Sequence, residues 1–164
     1  MGVAGSGKSS VASALGEALD LEVIDGDAYH PQSNIEKMAA GIPLTDEDRR
    51  PWLETLAGLI GARHVAGVGT VLPCSALRRA YRDILRATVP NDESFVILLD
   101  ADAETLRERM AHRTGHFMPV SLLDSQLATL EPLQPDERGA VIDVTPPLDV
   151  VIENALSAVR SSVG

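Results

Sequence analysis

The chain has 164 residues, 45% of them apolar, and a formal net charge of −10 at pH 7. That length fits one compact domain, 1–164, with a buried core, and the acidic balance argues against nucleic-acid binding, which needs a cationic footprint. No apolar run approaches the ~18 residues of a membrane helix, and a single cysteine, Cys74, excludes an internal disulfide and fits a reducing, cytoplasmic setting.

Residues 2–9 read Gly-Val-Ala-Gly-Ser-Gly-Lys-Ser, the spacing of a phosphate-binding loop. Gly2, Gly5 and Gly7 let the backbone approach an anion with no Cβ in the way. The N–H groups of Val3, Ala4, Ser6 and their neighbours up to Ser10 then form a nest at a helix N-terminus, where the dipole also favours negative charge. Lys8 is placed to reach the β- and γ-phosphates of ATP, and the Ser9 hydroxyl to ligate Mg²⁺. A helical pattern over 8–19 follows at once, as the mechanism requires. Such a loop should emerge from a buried, central parallel strand, yet only Met1 precedes it. The expectation is therefore a first strand that is missing or truncated, with the natural chain starting earlier.

Short apolar runs at 21–24, 70–72, 95–99 and 140–144 read as buried strands. Helical patterns at 35–40, 46–66, 76–87, 103–113, 121–130 and 148–159 alternate with them. That alternation predicts an α/β fold with helices on both faces of a parallel sheet, its ligands at the carboxyl ends of the strands.

The first run ends in Asp25-Gly26-Asp27. Asp25 suits a Mg²⁺-bound water, and Asp27 suits a base on a substrate hydroxyl; both also make good turn and cap residues. The polar block from His30 to Met38, with Asn34 and Lys37, reads as a substrate-binding helix and loop. After the second run, Ser75 is the expected N-cap of a helix from Ala76. Arg78 and Arg82 share one face of that helix, either toward an anionic substrate or toward solvent. The third run ends in Asp100-Ala101-Asp102, where capping of the next helix is favoured over a metal-binding role. That helix carries Arg107, Arg109 and Arg113 into Thr114-Gly115-His116, which suggests a lid over the phosphates, about 113–131. Arg109 would stack on the adenine and Arg113 would neutralise the moving phosphoryl group; both are equally explained as surface arginines. His30 and His116 are candidate substrate contacts, whereas His64 and His112 read as ordinary helix residues. No histidine or cysteine group has metal-ligand spacing.

Taken together, these blocks resemble the P-loop gluconokinases, relatives of shikimate kinase. The matching pieces are the phosphate loop, Asp25-Gly26-Asp27 with His30-Pro31, Asn34-Ile35-Glu36-Lys37-Met38, and Gly41 through Trp52. Further on come Cys74-Ser75-Ala76-Leu77, Tyr81-Arg82-Asp83, Gly115-His116-Phe117-Met118-Pro119, Gln126 and Leu130-Glu131. The resemblance implies a three-layer α/β/α kinase with parallel strand order 2-3-1-4-5. It also implies ATP- and Mg²⁺-dependent phosphorylation of D-gluconate at its terminal hydroxyl, and commonly a homodimer. Carried onto this chain, Lys8 and Ser9 serve phosphate and Mg²⁺, Asp27 the substrate hydroxyl, Arg49 and Arg82 the gluconate end, and Arg113 the lid.

Alternatives remain at this stage. A shikimate, nucleotide or adenylyl sulfate kinase would share the scaffold, although aromatic residues at 3% furnish a second base pocket poorly. A non-catalytic nucleotide switch is disfavoured because no Asn-Lys-x-Asp string is present. Asp136-Glu137-Arg138-Gly139 matches a switch pattern only by letter.

Overall fold

Strands alternate with helices as the hydrophobic pattern dictates. The computed structural model describes residues 1–111 and 121–163. Its elements are α1 (Lys8–Leu19), β1 (Glu22–Val23), α2 (Gln32–Ala39), α3 (Asp46–Val65), β2 (Thr70–Val71), α4 (Arg79–Arg86), β3 (Val96–Asp100), α5 (Ala103–Ala111), α6 (Ser121–Thr129), β4 (Gly139–Asp143) and α7 (Leu148–Val163). A 3₁₀ turn, Gly26–Tyr29, follows β1. Among the described residues no helix is long and apolar enough to cross a membrane.

All strand pairing is parallel. β1 pairs with β2, Glu22 opposite Thr70, and β3 pairs with β4 from Val96 opposite Gly139 to Asp100 opposite Asp143. Among the described residues the strands thus form two separate parallel pairs, and Met1 lies beside one of them. Its amino group donates to the Ile97 carbonyl at 2.5 Å and its carbonyl accepts the Leu99 N–H at 2.9 Å, while its side chain packs against the buried cluster of Trp52, Cys74 and Tyr81. Met1 thus extends alongside β3, with its backbone paired to that strand. An apolar groove of about 680 Å³, lined by Leu15, Ile60, Val71, Leu72, Ile97 and Leu99, runs between the pairs.

Helices cover both faces. Val11 and Leu15 of α1 and Val151 and Ala155 of α7 pack on Leu99 and Ile142. On the opposite face Trp52, Leu53 and Leu56 of α3 meet Tyr81 and Leu85 of α4, around Cys74. Cys74 is the small buried residue the sequence indicates, and burial pushes its thiol up to about 12. A third cluster sets Val3 and Ala4 of the phosphate loop against Leu106 and Met110 of α5 and Leu123 of α6. The loop is thereby wedged among helices as well as strand ends.

Helix starts are fixed by local chemistry. Thr45 and Asp48 form a reciprocal capping box at the start of α3. Asp102 caps α5, its Oδ1 accepting the Thr105 N–H at 2.8 Å. The helix expected from Ala76 begins instead at Arg79, because Ala76 adopts a left-handed backbone (φ 33) and turns the chain. Ser75 is not its cap. Glu131 takes that place from a distance, its carboxylate accepting the Arg79 N–H at 2.7 Å while its own N–H donates to the Leu77 carbonyl at 2.8 Å.

Candidate active site

The phosphate loop has the backbone an anion needs. Gly2, Gly5 and Gly7 have φ of 149, 82 and 87°, in or near the region that side chains avoid. A Cβ on Gly2 would come within 2.7 Å of the Leu99 carbonyl, and one on Gly5 within 3.1 Å of the Leu106 carbonyl, so the loop can lie this close only as glycine. A Cβ on Gly7 would instead project into open space. Helix α1 starts on Gly7 with no side-chain cap, which leaves first-turn N–H groups for a ligand. Lys8 Nζ reaches back to the Val3 carbonyl at 3.0 Å, and Ser9 and Ser10 are exposed on the first turn of α1. Ser6 Oγ is buried without a hydrogen-bond partner among the described residues. This donor set fits a nucleotide polyphosphate with a hard cation bound by oxygens.

Beside the loop lies a cleft lined by Lys8, Asp27, His30, Arg49, Ser75 and Gln126, with Met38, Leu44, Met110 and Leu122 as its apolar walls. The end of β1 positions its acidic member. Asp25 Oδ1 accepts the Asp27 N–H at 3.1 Å, initiating the 3₁₀ turn that carries Asp27 and leads to His30. The indole of Trp52, donating to the Gly26 carbonyl at 2.8 Å, anchors this turn to α3. The His30 ring stacks on Trp52 with centroids 4.0 Å apart and planes 16° from parallel. Burial, then the nearby Arg49 charge, lowers the His30 pKa to about 4, so the imidazole is neutral at pH 7. Arg49 lies over the Tyr81 ring at 5.7 Å, and the Tyr81 hydroxyl donates to Asp46. Asp46 also pairs with Arg78 at 2.8 Å, so Arg78 faces a carboxylate at the start of α3.

Three residues read from the sequence as substrate contacts have other partners. Arg82, 2% exposed, donates from Nε and Nη2 to Glu137, from Nη1 to the Leu77 and Glu131 carbonyls, and from Nη2 to the Pro132 carbonyl. Every N–H of its guanidinium faces a protein acceptor, and Arg82 is not part of the cleft wall. Lys37 binds both Asp48 oxygens, at 2.6 and 2.8 Å, and is not part of the cleft wall. Asn34 is 2% exposed, and its amide donates to the Asp48 carbonyl and faces His30. Asp25 is exposed and caps the turn, the alternative already open for it. Arg109 Nη2 donates to the Val144 carbonyl at 2.5 Å, which sets it beside the loop after β4. Arg113, His116 and the first part of the lid lie outside the described residues. Among the described residues no group of three or more His, Cys, Asp or Glu side chains is arranged to hold a metal ion.

A family profile described as "AAA domain" matches residues 1–133. The thermosensitive gluconokinase of Escherichia coli (strain K12) is 45% identical over 160 residues, covering 97% of this chain and 84% of that protein. Among solved structures, a gluconokinase from Sinorhizobium meliloti 1021 superposes with a TM-score of 0.89 at 46% identity, covering 98% of this chain and 89% of its own. A sugar kinase from Janibacter sp. HTCC2649 does so with a TM-score of 0.93 at 50% identity, covering 99% and 93%. The chain belongs to the gluconokinase family. The resemblance read from the blocks is therefore correct.

Membership in the gluconokinase family gives meaning to contacts that sequence reasoning did not assign. Gln126 Oε1 accepts the Ala4 N–H at 2.6 Å, tying α6 to the phosphate loop. The only signal for it was its place in the family's blocks. Trp52 was visible as the lone tryptophan, but its two partners, Gly26 and His30, precede it by more than a helix and no local pattern links them.

Proposed function

We propose that this protein transfers the γ-phosphoryl group of ATP to the terminal hydroxyl of D-gluconate, giving 6-phospho-D-gluconate and ADP. The observation that carries the reading is one cleft holding Lys8, Asp27 and Arg49 at the mouth of a phosphate loop. Phosphoryl transfer asks a protein for positioning and charge neutralisation more than for covalent chemistry. Asp27 accepts the hydroxyl proton as the oxygen bonds to phosphorus and the bond to the ADP oxygen breaks. Lys8 and the loop N–H groups balance charge on the phosphates. Arg49, held over Tyr81, is the cation for the carboxylate of the sugar acid.

Ser9, and Asp25 through water, would hold Mg²⁺, which would supply charge neutralisation for the phosphoryl transfer. Arg109 stacks on the adenine from α5, and Arg113 and His116 enter with a lid over about 113–131 of the single domain. A cytoplasmic homodimer completes the proposal.

A coupled ADP-release assay over gluconate, shikimate, nucleoside monophosphates and hexoses tests it. Strict dependence on gluconate is expected. Turnover with shikimate or a nucleotide and none with gluconate would replace the acceptor while keeping the kinase.

A further inference from the structure

His30 and Asn34 form a small device whose polarity can be read atom by atom. The Asp48 main-chain carbonyl can only accept, so the Asn34 atom 2.9 Å from it is the amide nitrogen Nδ2. That same nitrogen lies 3.4 Å from His30 Nδ1. An amide nitrogen only donates, so Nδ1 accepts and the ring proton resides on Nε2. Asn34 is 2% exposed, leaving little room for water to take its place. The face of the ring is fixed by Trp52, which is fully buried and anchored at Gly26. Asp48 is itself immobilised by Thr45 and Lys37, so Lys37, Asp48, Asn34 and His30 form one continuous chain across α2 and α3. Among the described residues Nδ1 is the one His30 side-chain atom with a hydrogen-bond partner, and His30 is part of the cleft wall.

We propose that Asn34 and Trp52 hold His30 as a neutral imidazole whose Nε2–H donates to a hydroxyl of the bound sugar acid. Asn34 is then a positioning residue, and His30 a specificity-determining contact for a polyol acceptor. The charged groups around the ring suit this: Arg49 disfavours a second proton on it, and Asp27, three residues earlier on the same turn and lining the same cleft, is left to hold the reacting hydroxyl rather than the one His30 meets. A neutral donor here grips a hydroxyl without adding a second cation for the carboxylate, so the acid end is directed to Arg49. The inference rests on reading the cleft as a gluconate site.

Two measurements test it. Long-range ¹⁵N–¹H correlation spectra of ¹⁵N-histidine-labelled protein at pH 7, with the His30 signals assigned by their loss in His30→Gln, read the tautomer without any turnover. The Nε2–H form is expected, and an Nδ1–H or doubly protonated ring would overturn the proposal. Kinetics of His30→Gln and His30→Asn then read the contact. Glutamine can present an N–H near the former Nε2 position and asparagine is too short to do so. The gluconate KM is expected to rise about tenfold in His30→Asn, the loss of one hydrogen bond in a site that leaves its partner unpaired. It should stay nearer wild type in His30→Gln, with the ATP KM of both variants unchanged within about twofold. Equal gluconate KM values in the two variants and the wild type would refute the contact. If the wild-type ring shows the Nε2–H form but gluconate supports no ADP release, the sugar-acid reading has failed and the hydroxyl contact falls with it.

Discussion

Arg82 sets Nε and Nη2 against the two carboxylate oxygens of Glu137, each at 2.6 Å, and so joins α4 to the segment between α6 and β4. Both side chains are essentially out of solvent, with Arg86 3.6 Å from the same carboxylate. Burial alone would raise the Glu137 carboxyl pKa, but hydrogen bonds from Arg82 and the Gln134 N–H hold it below the usual range. The pair is a structural lock on the frame that carries the cleft.

Removing one partner strands the other charge in the interior. Glu137→Gln is therefore expected to destabilise the fold by about 3–5 kcal/mol, read as a lower urea midpoint with an unchanged slope. Arg82→Ala should fall in the same range. Where it remains folded at low temperature, its gluconate KM should stay near wild type. A selective rise in gluconate KM with no loss of stability would return Arg82 to the acceptor site.

Asp27 stands in a different position, at the cleft and on a turn whose geometry is set by its neighbour Asp25 rather than by its own carboxylate. Asp27→Asn keeps the shape and removes the proton acceptor. Turnover is expected to fall by about 10²-fold or more, with ATP affinity nearly intact by equilibrium titration. Collapse of nucleotide binding instead would make Asp27 a ligand of the metal–nucleotide complex.

Arg49 and Tyr81 act as a unit in which the ring supports the cation, while Asp46 takes up the Tyr81 hydroxyl and Arg78. Tyr81→Leu removes the supporting face and should raise the gluconate KM severalfold, from the loss of about 0.5–1 kcal/mol of cation–π attraction plus looser positioning. Tyr81→Phe keeps the face and should stay within about twofold. Equal effects of both on the ATP KM would show that the ring matters to the whole site rather than to the carboxylate.

The glycine backbone of the phosphate loop was legible in the sequence because it depends on residue type at short spacing, whereas Arg49, which shares a cleft with Asp27, came only through the family's blocks. The helix over 8–19 was read to the residue, since the loop that starts it and the Asp20 left-handed end are both local. What stayed hidden depends on distant partners. Arg82 sits on a helix face with Arg78 and looks like a ligand until Glu137, 55 residues on, is seen to saturate it. Asn34 and Lys37 read as substrate groups because both are polar; only packing reveals that Asp48 faces each of them. The start of α4 was missed because its cap, Glu131, comes from beyond α6 rather than from the preceding residues.

The last prediction concerns proton uptake at His30. Its folded pKa is about 4 against the ordinary 6.5, lowered first by burial and then by Arg49. At pH 7 the ring is neutral in both folded and unfolded chains, so its contribution to stability is complete. As pH falls below 6.5 the unfolded chain binds a proton that the folded one refuses until about pH 4, so stability is lost across that window. Asp48, lowered from 3.8 to about 2 by the Lys37 hydrogen bond and by Thr45, acts only at lower pH. That effect is shared by His30→Gln and cancels when the two proteins are compared. The difference in urea midpoint between wild type and His30→Gln should thus shift against the wild type from pH 7 to pH 4.5, by no more than one proton's worth of slope. A difference that stays constant over that range would mean that His30 titrates alike in the folded and unfolded chains, and the buried, stacked ring would not be the state present in solution.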